Sequence, residues 1–182
     1  CLVVLGLLIW ASTATWEMLK YKNSYLNIID TQRWESTLSS NGIYEDSLIV
    51  FLGDSQISRW PMAPSFGTLP IINKGISGDW ALKSLKRLDK DVLNLNPKLL
   101  VLLIGTNDLE HGQPIGNIIS SIEKIVHRAE ERGVKIILCS LLPVRSKYLE
   151  DRPVKDILAI NYGLKQISRD HKLGFVDFHS VL

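Results

Sequence analysis

Three short clusters of small and polar residues carry the chemistry available to this sequence. They are Gly53-Asp54-Ser55-Gln56, Asn73-Lys74-Gly75-Ile76-Ser77-Gly78-Asp79 and Gly105-Thr106-Asn107-Asp108. Ser55 offers a hydroxyl nucleophile beside a flexible glycine. It stands at the expected start of a helix, where backbone N–H groups favour a developing negative charge. Gly78 has no Cβ, so it can bring a bare backbone N–H close to a ligand. Asn107 carries a side-chain NH₂ donor. The N–H of Ser55, the N–H of Gly78 and the Asn107 amide make a candidate oxyanion hole, with Gly53, Asp54 and Asp79 as supporting residues. That inventory suits acyl transfer. Taken singly, each cluster reads as a turn or a helix cap. The functional reading rests on their order and on their position after successive strands.

Those strands follow from the hydrophobic pattern. Residues 47–52, 70–73, 98–104, 134–138 and 175–178 are short, apolar and β-rich. The first is nearly continuous in hydrophobicity, as for a strand buried on both faces of a parallel sheet. Residues 80–95 place Leu82, Leu85, Leu88, Val92 and Leu95 at helical spacing, and Asn96-Pro97 ends that helix. Residues 115–132 form a second helix with Gly133 just past its end. Residues 154–171 form a third, followed by Gly174. Strands alternating with helical crossovers predict an α/β domain with a five-stranded parallel sheet covered on both faces. In such sheets ligands bind outside the C-terminal strand ends, which is where the three clusters fall.

Composition sets the limits. The chain has 182 residues, of which 46% are apolar, enough for one domain with a core of its own. Lys+Arg number 21 and Asp+Glu 19, a net charge of +2, which excludes a strongly basic nucleic-acid binder and an acidic disordered tail. The two cysteines, Cys1 and Cys139, make neither a disulfide framework nor a four-cysteine zinc site. No G-x-G-x-x-G run or P-loop occurs. No cluster with metal-ligand spacing stands out, and no cofactor is expected. Residues 1–11 are uncharged and almost wholly apolar, short of the ~20 needed to span a bilayer. They read as the end of a signal peptide or membrane anchor rather than a short buried element. A lipid-bearing Cys1 is disfavoured because Leu2, Val3, Val4 and Leu5 follow it. The expected organisation is an anchor over 1–16, a helical linker over 17–46 and the α/β domain over 47–182, placing the protein in the cell envelope.

The three clusters resemble the blocks of the SGNH or GDSL family of serine esterases and acylhydrolases, over most of the chain from residue 47. Gly53-Asp54-Ser55 is similar to the first block, with Ser55 at the nucleophile position. Asn73 through Asp79 is similar to the second, with Gly78, before the aspartate, as the oxyanion glycine. Gly105-Thr106-Asn107-Asp108 is similar to the third, with Asn107 as the oxyanion asparagine. Asn96-Pro97 and Ser140-Leu141-Leu142-Pro143 also fit. Gln56 and Trp80 depart from the commonest pattern. The resemblance implies a flavodoxin-like three-layer α/β/α sandwich.

A serine hydroxyl is a weak nucleophile until a base takes its proton. The resemblance implies a late Asp-x-x-His supplying that base. Here Asp177 and His179 are two apart, so they read as structural, and the base is expected beyond Leu182 in a longer chain, leaving this fragment inactive alone. His111 follows the third strand and reads as a loop residue. His127 and His171 read as surface or structural, and Cys139 as core. Trp60 and Trp80 flank the site in sequence, as lining or as core. The leading expectation is an esterase cleaving a small acyl group from an ester on a small molecule, glycan or lipid. The alternatives are an envelope polysaccharide O-acetyltransferase and a non-catalytic ester- or partner-binding relic.

Overall fold

The computed structural model describes residues 48–66, 69–144 and 148–182. The expected anchor (1–16) and linker (17–46) lie outside the described residues. Among the described residues, no helix is long and apolar enough to cross a membrane.

The chain alternates as expected. Strand β1 (Ile49–Gly53) leads into the short helix α1 (Ser55–Ser58), then α2 (Met62–Phe66) and β2 (Ile71–Gly75). Helix α3 (Ala81–Asp91) and a 3₁₀ turn (Leu93–Leu95) lead to β3 (Leu99–Leu103). Then come α4 (Thr106–Glu110), α5 (Ile115–Glu131), β4 (Lys135–Cys139), α6 (Val154–Asp170) and β5 (Gly174–Val176). The five strands form one all-parallel sheet in the order β2-β1-β3-β4-β5. The order reverses between β1 and β3, and that switch point opens a crevice at the C-terminal strand ends.

Period-two alternation divides the strand side chains between two cores. Val50, Leu52, Leu100, Leu102, Ile136 and Leu138 face the layer built by α3, α5 and α6, through Leu88, Ile122 and Ile160 among others. Ile49, Phe51, Val101, Leu103, Ile137 and Cys139 face the other way, onto Ile57, Trp60, Phe66 and Phe178. Phe51 anchors that second core, its ring edge-on to Trp60 at 5.7 Å and tilted to Phe66 at 5.2 Å. With both faces covered, β1 and β3 are buried at every position, which accounts for their nearly unbroken apolar sequence.

Three details differ from the periodic reading. The first predicted helix (80–95) divides, because α3 stops at Asp91 and a tighter turn completes the segment before Asn96 takes a left-handed φ of 50°. Leu82, expected on the apolar stripe, is 44% exposed. At the end of α6 the left-handed residue is Lys172, φ 56°, while Gly174 already belongs to β5. Gly133 does take the left-handed position after α5, φ 68°.

Two glycines are fixed by close packing rather than by φ. A Cβ on Gly53 would lie 2.2 Å from the Leu103 carbonyl oxygen, and one on Gly75 would lie 2.2 Å from the Ser58 nitrogen. Both neighbours are backbone, so neither yields cheaply. Gly53→Ala and Gly75→Ala should each lower unfolding stability by about 1–3 kcal/mol, as other overpacked sites do. Gly116, inside α5 with nothing within 4 Å of a built Cβ, should instead gain about 0.4–1 kcal/mol on substitution by alanine. Urea melts of the three variants check the contrast.

Candidate active site

The register sets Gly53, at the end of β1, between Gly75 of β2 and Leu103 of β3. The loops that follow these residues carry the three polar clusters, so all three start side by side on one sheet edge. Ile76 extends the ladder by donating its N–H to the Gly53 carbonyl at 3.0 Å.

Asp54 caps α1: its Oδ1 accepts the Gln56 N–H at 2.8 Å. Ser55 is the first residue of that helix and is half-buried. The carboxyl of Asp54 is 2% exposed. Burial pushes its pKa up to about 6; the Gln56 N–H and the positive Arg152 oppose the rise, and the negative Asp79 and Asp108 add to it. Asn73 fastens β2 to the end of α1, donating from Nδ2 to the Ile57 carbonyl at 2.7 Å and accepting the Gly75 N–H at 2.9 Å.

Gly78 occupies the third position of a tight turn closed by the Asp79 N–H on the Ile76 carbonyl at 3.0 Å. Its φ of +77° is what that position demands, and glycine meets it without strain. Asp79 follows, 4% exposed. Its Oδ2 accepts the Ser84 hydroxyl at 2.7 Å and two Arg87 N–H groups, from Nε at 2.9 Å and Nη2 at 2.7 Å. Arg87 Nη2 also donates to the Lys74 carbonyl at 2.9 Å, and Nη1 to Asp91 at 3.0 Å. One guanidinium thus ties α3 to the loop after β2.

The third cluster reaches back to the second. Gly105, φ 130°, turns the chain out of β3 into α4. Asp108 caps α3 from 27 residues away, both carboxylate oxygens accepting the Ala81 N–H at 3.1 and 3.0 Å. Burial raises the Asp108 pKa and the Ala81 N–H works against it. Asn107 is 7% exposed; its Nδ2 donates to the Asp79 carbonyl at 2.9 Å and its Oδ1 accepts from Arg152 Nη2 at 3.1 Å. The second amide hydrogen of Asn107 and the N–H groups of Ser55 and Gly78 have no protein acceptor among the described residues. They are donors available to an anion.

Four residues of this arrangement escape sequence reasoning: Ser84, Arg87, Asp108 in its role as the cap of α3, and Arg152. Arg152 comes from the segment between β4 and α6, pairs with the Glu110 carboxylate, lies over the Tyr148 ring at 5.3 Å and has a buried Nε without a partner. No local pattern marks it. Ser84 and Arg87 sit three apart on α3, a spacing that puts two polar side chains on one helix face and is visible in the sequence.

None of the four histidines hydrogen-bonds the Ser55 hydroxyl among the described residues. His111 Nδ1 donates to the Asn107 carbonyl at 2.7 Å, and its ring packs against Trp80, ring centroids 4.6 Å apart. The His179 N–H donates to Ser140 Oγ, and Asp177 Oδ1 accepts the Ser180 N–H. His127 and His171 pack on each other, on α5 and at the end of α6. Cys139 is core, and burial pushes its thiol pKa up. Trp60 is core too, its indole N–H bonded to Ser65. Trp80 instead lines a groove of about 200 Å³ with Leu82, Asp108, Gln113 and Ile118. No set of metal-ligand side chains converges on this edge among the described residues.

Residues 49–182 match the sequence profile of the GDSL-like Lipase/Acylhydrolase family. The chain is 33% identical to an uncharacterized lipoprotein, YqeF, of Bacillus subtilis (strain 168), over 56% of this chain and 50% of the relative. The match thus spans half the length of that curated protein. Among solved structures, a GDSL-like lipase from Bacteroides thetaiotaomicron is similar with a TM-score of 0.67 and 25% identity, covering 81% of this chain and 77% of the other. A catalytic mutant of the acetylxylan esterase Axe2 from Geobacillus stearothermophilus shares the fold with a TM-score of 0.62 and 18% identity, covering 75% of this chain and 78% of the other.

Two measurements probe this edge. Arg87→Leu leaves the buried Asp79 charge uncompensated and should cost about 3–5 kcal/mol in denaturant unfolding. Asp54 gives a pH signature. Between about pH 4 and pH 6 the folded state keeps a proton that the unfolded chain has released, so this group's contribution to stability falls as pH rises through that window. Asp54→Asn retains an acceptor for the Gln56 N–H and removes the titration. Relative to that variant, the parent chain should lose on the order of 3 kcal/mol between pH 3.5 and pH 7. Parallel pH–stability curves would mean that Asp54 ionises as it does in water.

Proposed function

The chain belongs to the GDSL-like Lipase/Acylhydrolase family, and from that premise we propose that it is a serine esterase acting on small acyl esters in the cell envelope. Ser55 Oγ attacks the ester carbonyl carbon as its proton passes to a general base. The carbonyl electron pair moves onto oxygen, and the resulting oxyanion takes hydrogen bonds from the N–H groups of Ser55 and Gly78 and from the Asn107 amide. Collapse re-forms the carbonyl and expels the alcohol, which takes the proton from the base. Water then repeats the cycle on the acyl-enzyme and releases the acid.

The observation that carries this reading is the holding of Asn107. Its amide is gripped at both ends, by the Asp79 carbonyl and by Arg152, and one N–H is left over on the edge where Ser55 emerges. A donor fixed before the reaction needs no reorganisation when charge develops. The family resemblance implies a histidine base from an Asp-x-x-His segment, and none of the described histidines hydrogen-bonds the Ser55 hydroxyl. Catalytic mutants of Axe2 that replace a serine, an aspartate or a histidine are in keeping with such a triad. Envelope placement is supported by the apolar run over residues 1–11 and by the lipoprotein name of the Bacillus subtilis relative.

The test uses the reading frame expressed through to its stop codon. A fluorophosphonate probe should label the parent protein and not Ser55→Ala. Asn107→Ala should lower kcat on a short-chain aryl ester by about 10²–10³-fold with little change in KM. Folded protein that takes no label overturns the proposal. Product analysis with a glycan acceptor added distinguishes hydrolysis from acetyl transfer.

A further inference from the structure

At the opposite end of the sheet from Ser55, α5 and α6 bring together a second group of reactive side chains. Glu123 and His127 are four residues apart on α5 and so lie one above the other on one helix face. His171 is the residue that caps α6. One potential ligand atom from each of Glu123, His127 and His171 lies within 4.8 Å of the others. The two imidazole rings meet edge to face, centroids 4.7 Å apart. His171 Nδ1 is 2.8 Å from the Glu130 carboxylate.

We infer that Glu123, His127 and His171 form a binding site for a divalent transition-metal ion, zinc foremost, that ties the C-terminal ends of α5 and α6 together. Four features support it. The donor set, two imidazoles and one carboxylate, is one that zinc accepts, with a fourth position left for water. The Glu130 carboxylate engages Nδ1 of His171, which leaves Nε2 as the ligating nitrogen. A carboxylate behind a ligating histidine is the usual outer partner of a zinc-bound imidazole, fixing its tautomer and raising its basicity. Both helices end here, and the negative ends of their dipoles favour a cation. Finally, the geometry is within reach. Tetrahedral zinc draws its ligand atoms to about 3.3 Å of one another, which rotation of these side chains can supply.

The site is remote from the catalytic edge, so its role is to fasten the fold rather than to activate substrate. It needs no contribution from Ser55 and stands or falls independently of the esterase proposal.

The experiment uses the tag-free full chain, freed of metal by a chelator and titrated with zinc chloride. Calorimetry should report one zinc per chain, and saturating zinc should raise the unfolding midpoint, since an ion bound only by the folded state stabilises it. His127→Ala and His171→Ala should each lose the calorimetric site and the thermal shift while keeping the far-UV circular dichroism of the parent. His127→Gln and His171→Gln serve if either alanine variant fails to fold. Glu130→Gln should weaken binding about 10–100-fold, the effect expected of an outer-shell partner. Ser55→Ala should bind zinc as the parent does. The inference is overturned if zinc produces no saturable heat and no thermal shift, or if both histidine variants bind it with unchanged affinity.

Discussion

A carboxylate taken out of water needs other groups to replace its hydration, and Asp79 finds them in Arg87 and Ser84. The rest of the edge that carries the three clusters depends on this contact. Arg87 reads Asp79 and the Lys74 carbonyl with one planar fork, so the loop after β2 and the helix that follows it hold a single relative position. The Asp79 carbonyl, fixed in turn, accepts from Asn107 and sets the direction of that amide. Two further buried acids crowd the same edge. Asp108 is answered by a helix N–H and Asp54 by its own helix cap, with Arg152 the nearby cation. Burial raises the pKa of both, that of Asp54 to about 6.

The strands and long helices were legible because burial on both faces and helical periodicity leave plain marks. The all-parallel order agreed with the alternating pattern, and the three clusters fell on one edge as their positions after strands implied. The short helices α2 and α4 were not foreseen as separate elements, and of α1 only the start at Ser55 was expected, since four or five residues are too few to show a period. Leu82 fitted the apolar spacing, yet it lines a groove instead of the core. Spacing alone does not say how far a neighbouring layer extends. Arg152 was invisible because its partners are side chains 42 and 45 residues away. The pairing of His171 with His127 likewise depends on how two helices end, although Glu123 and His127 share a readable four-residue interval.

The two tryptophans near the site show how similar sequence contexts separate in space. Trp60 follows α1 and turns into the aromatic core around Phe51, where its N–H finds Ser65. Trp80 follows the Gly78 turn and stays at the surface between His111 and Lys83. One ring holds the sheet to its second layer. The other shapes the approach to the edge where the clusters meet.

The strand order also governs how the chain finds its fold. The β1–β3 pair joins Ile49 to Leu99, a wider interval of sequence than the other pairings in the sheet. Closing that interval carries the largest loop entropy, and non-local pairing of this kind slows folding. The same pair is the one that brings the loop bearing Ser55 beside the loop bearing Asn107. The pairing that is most costly in loop entropy is therefore also the one on which the geometry of the edge depends.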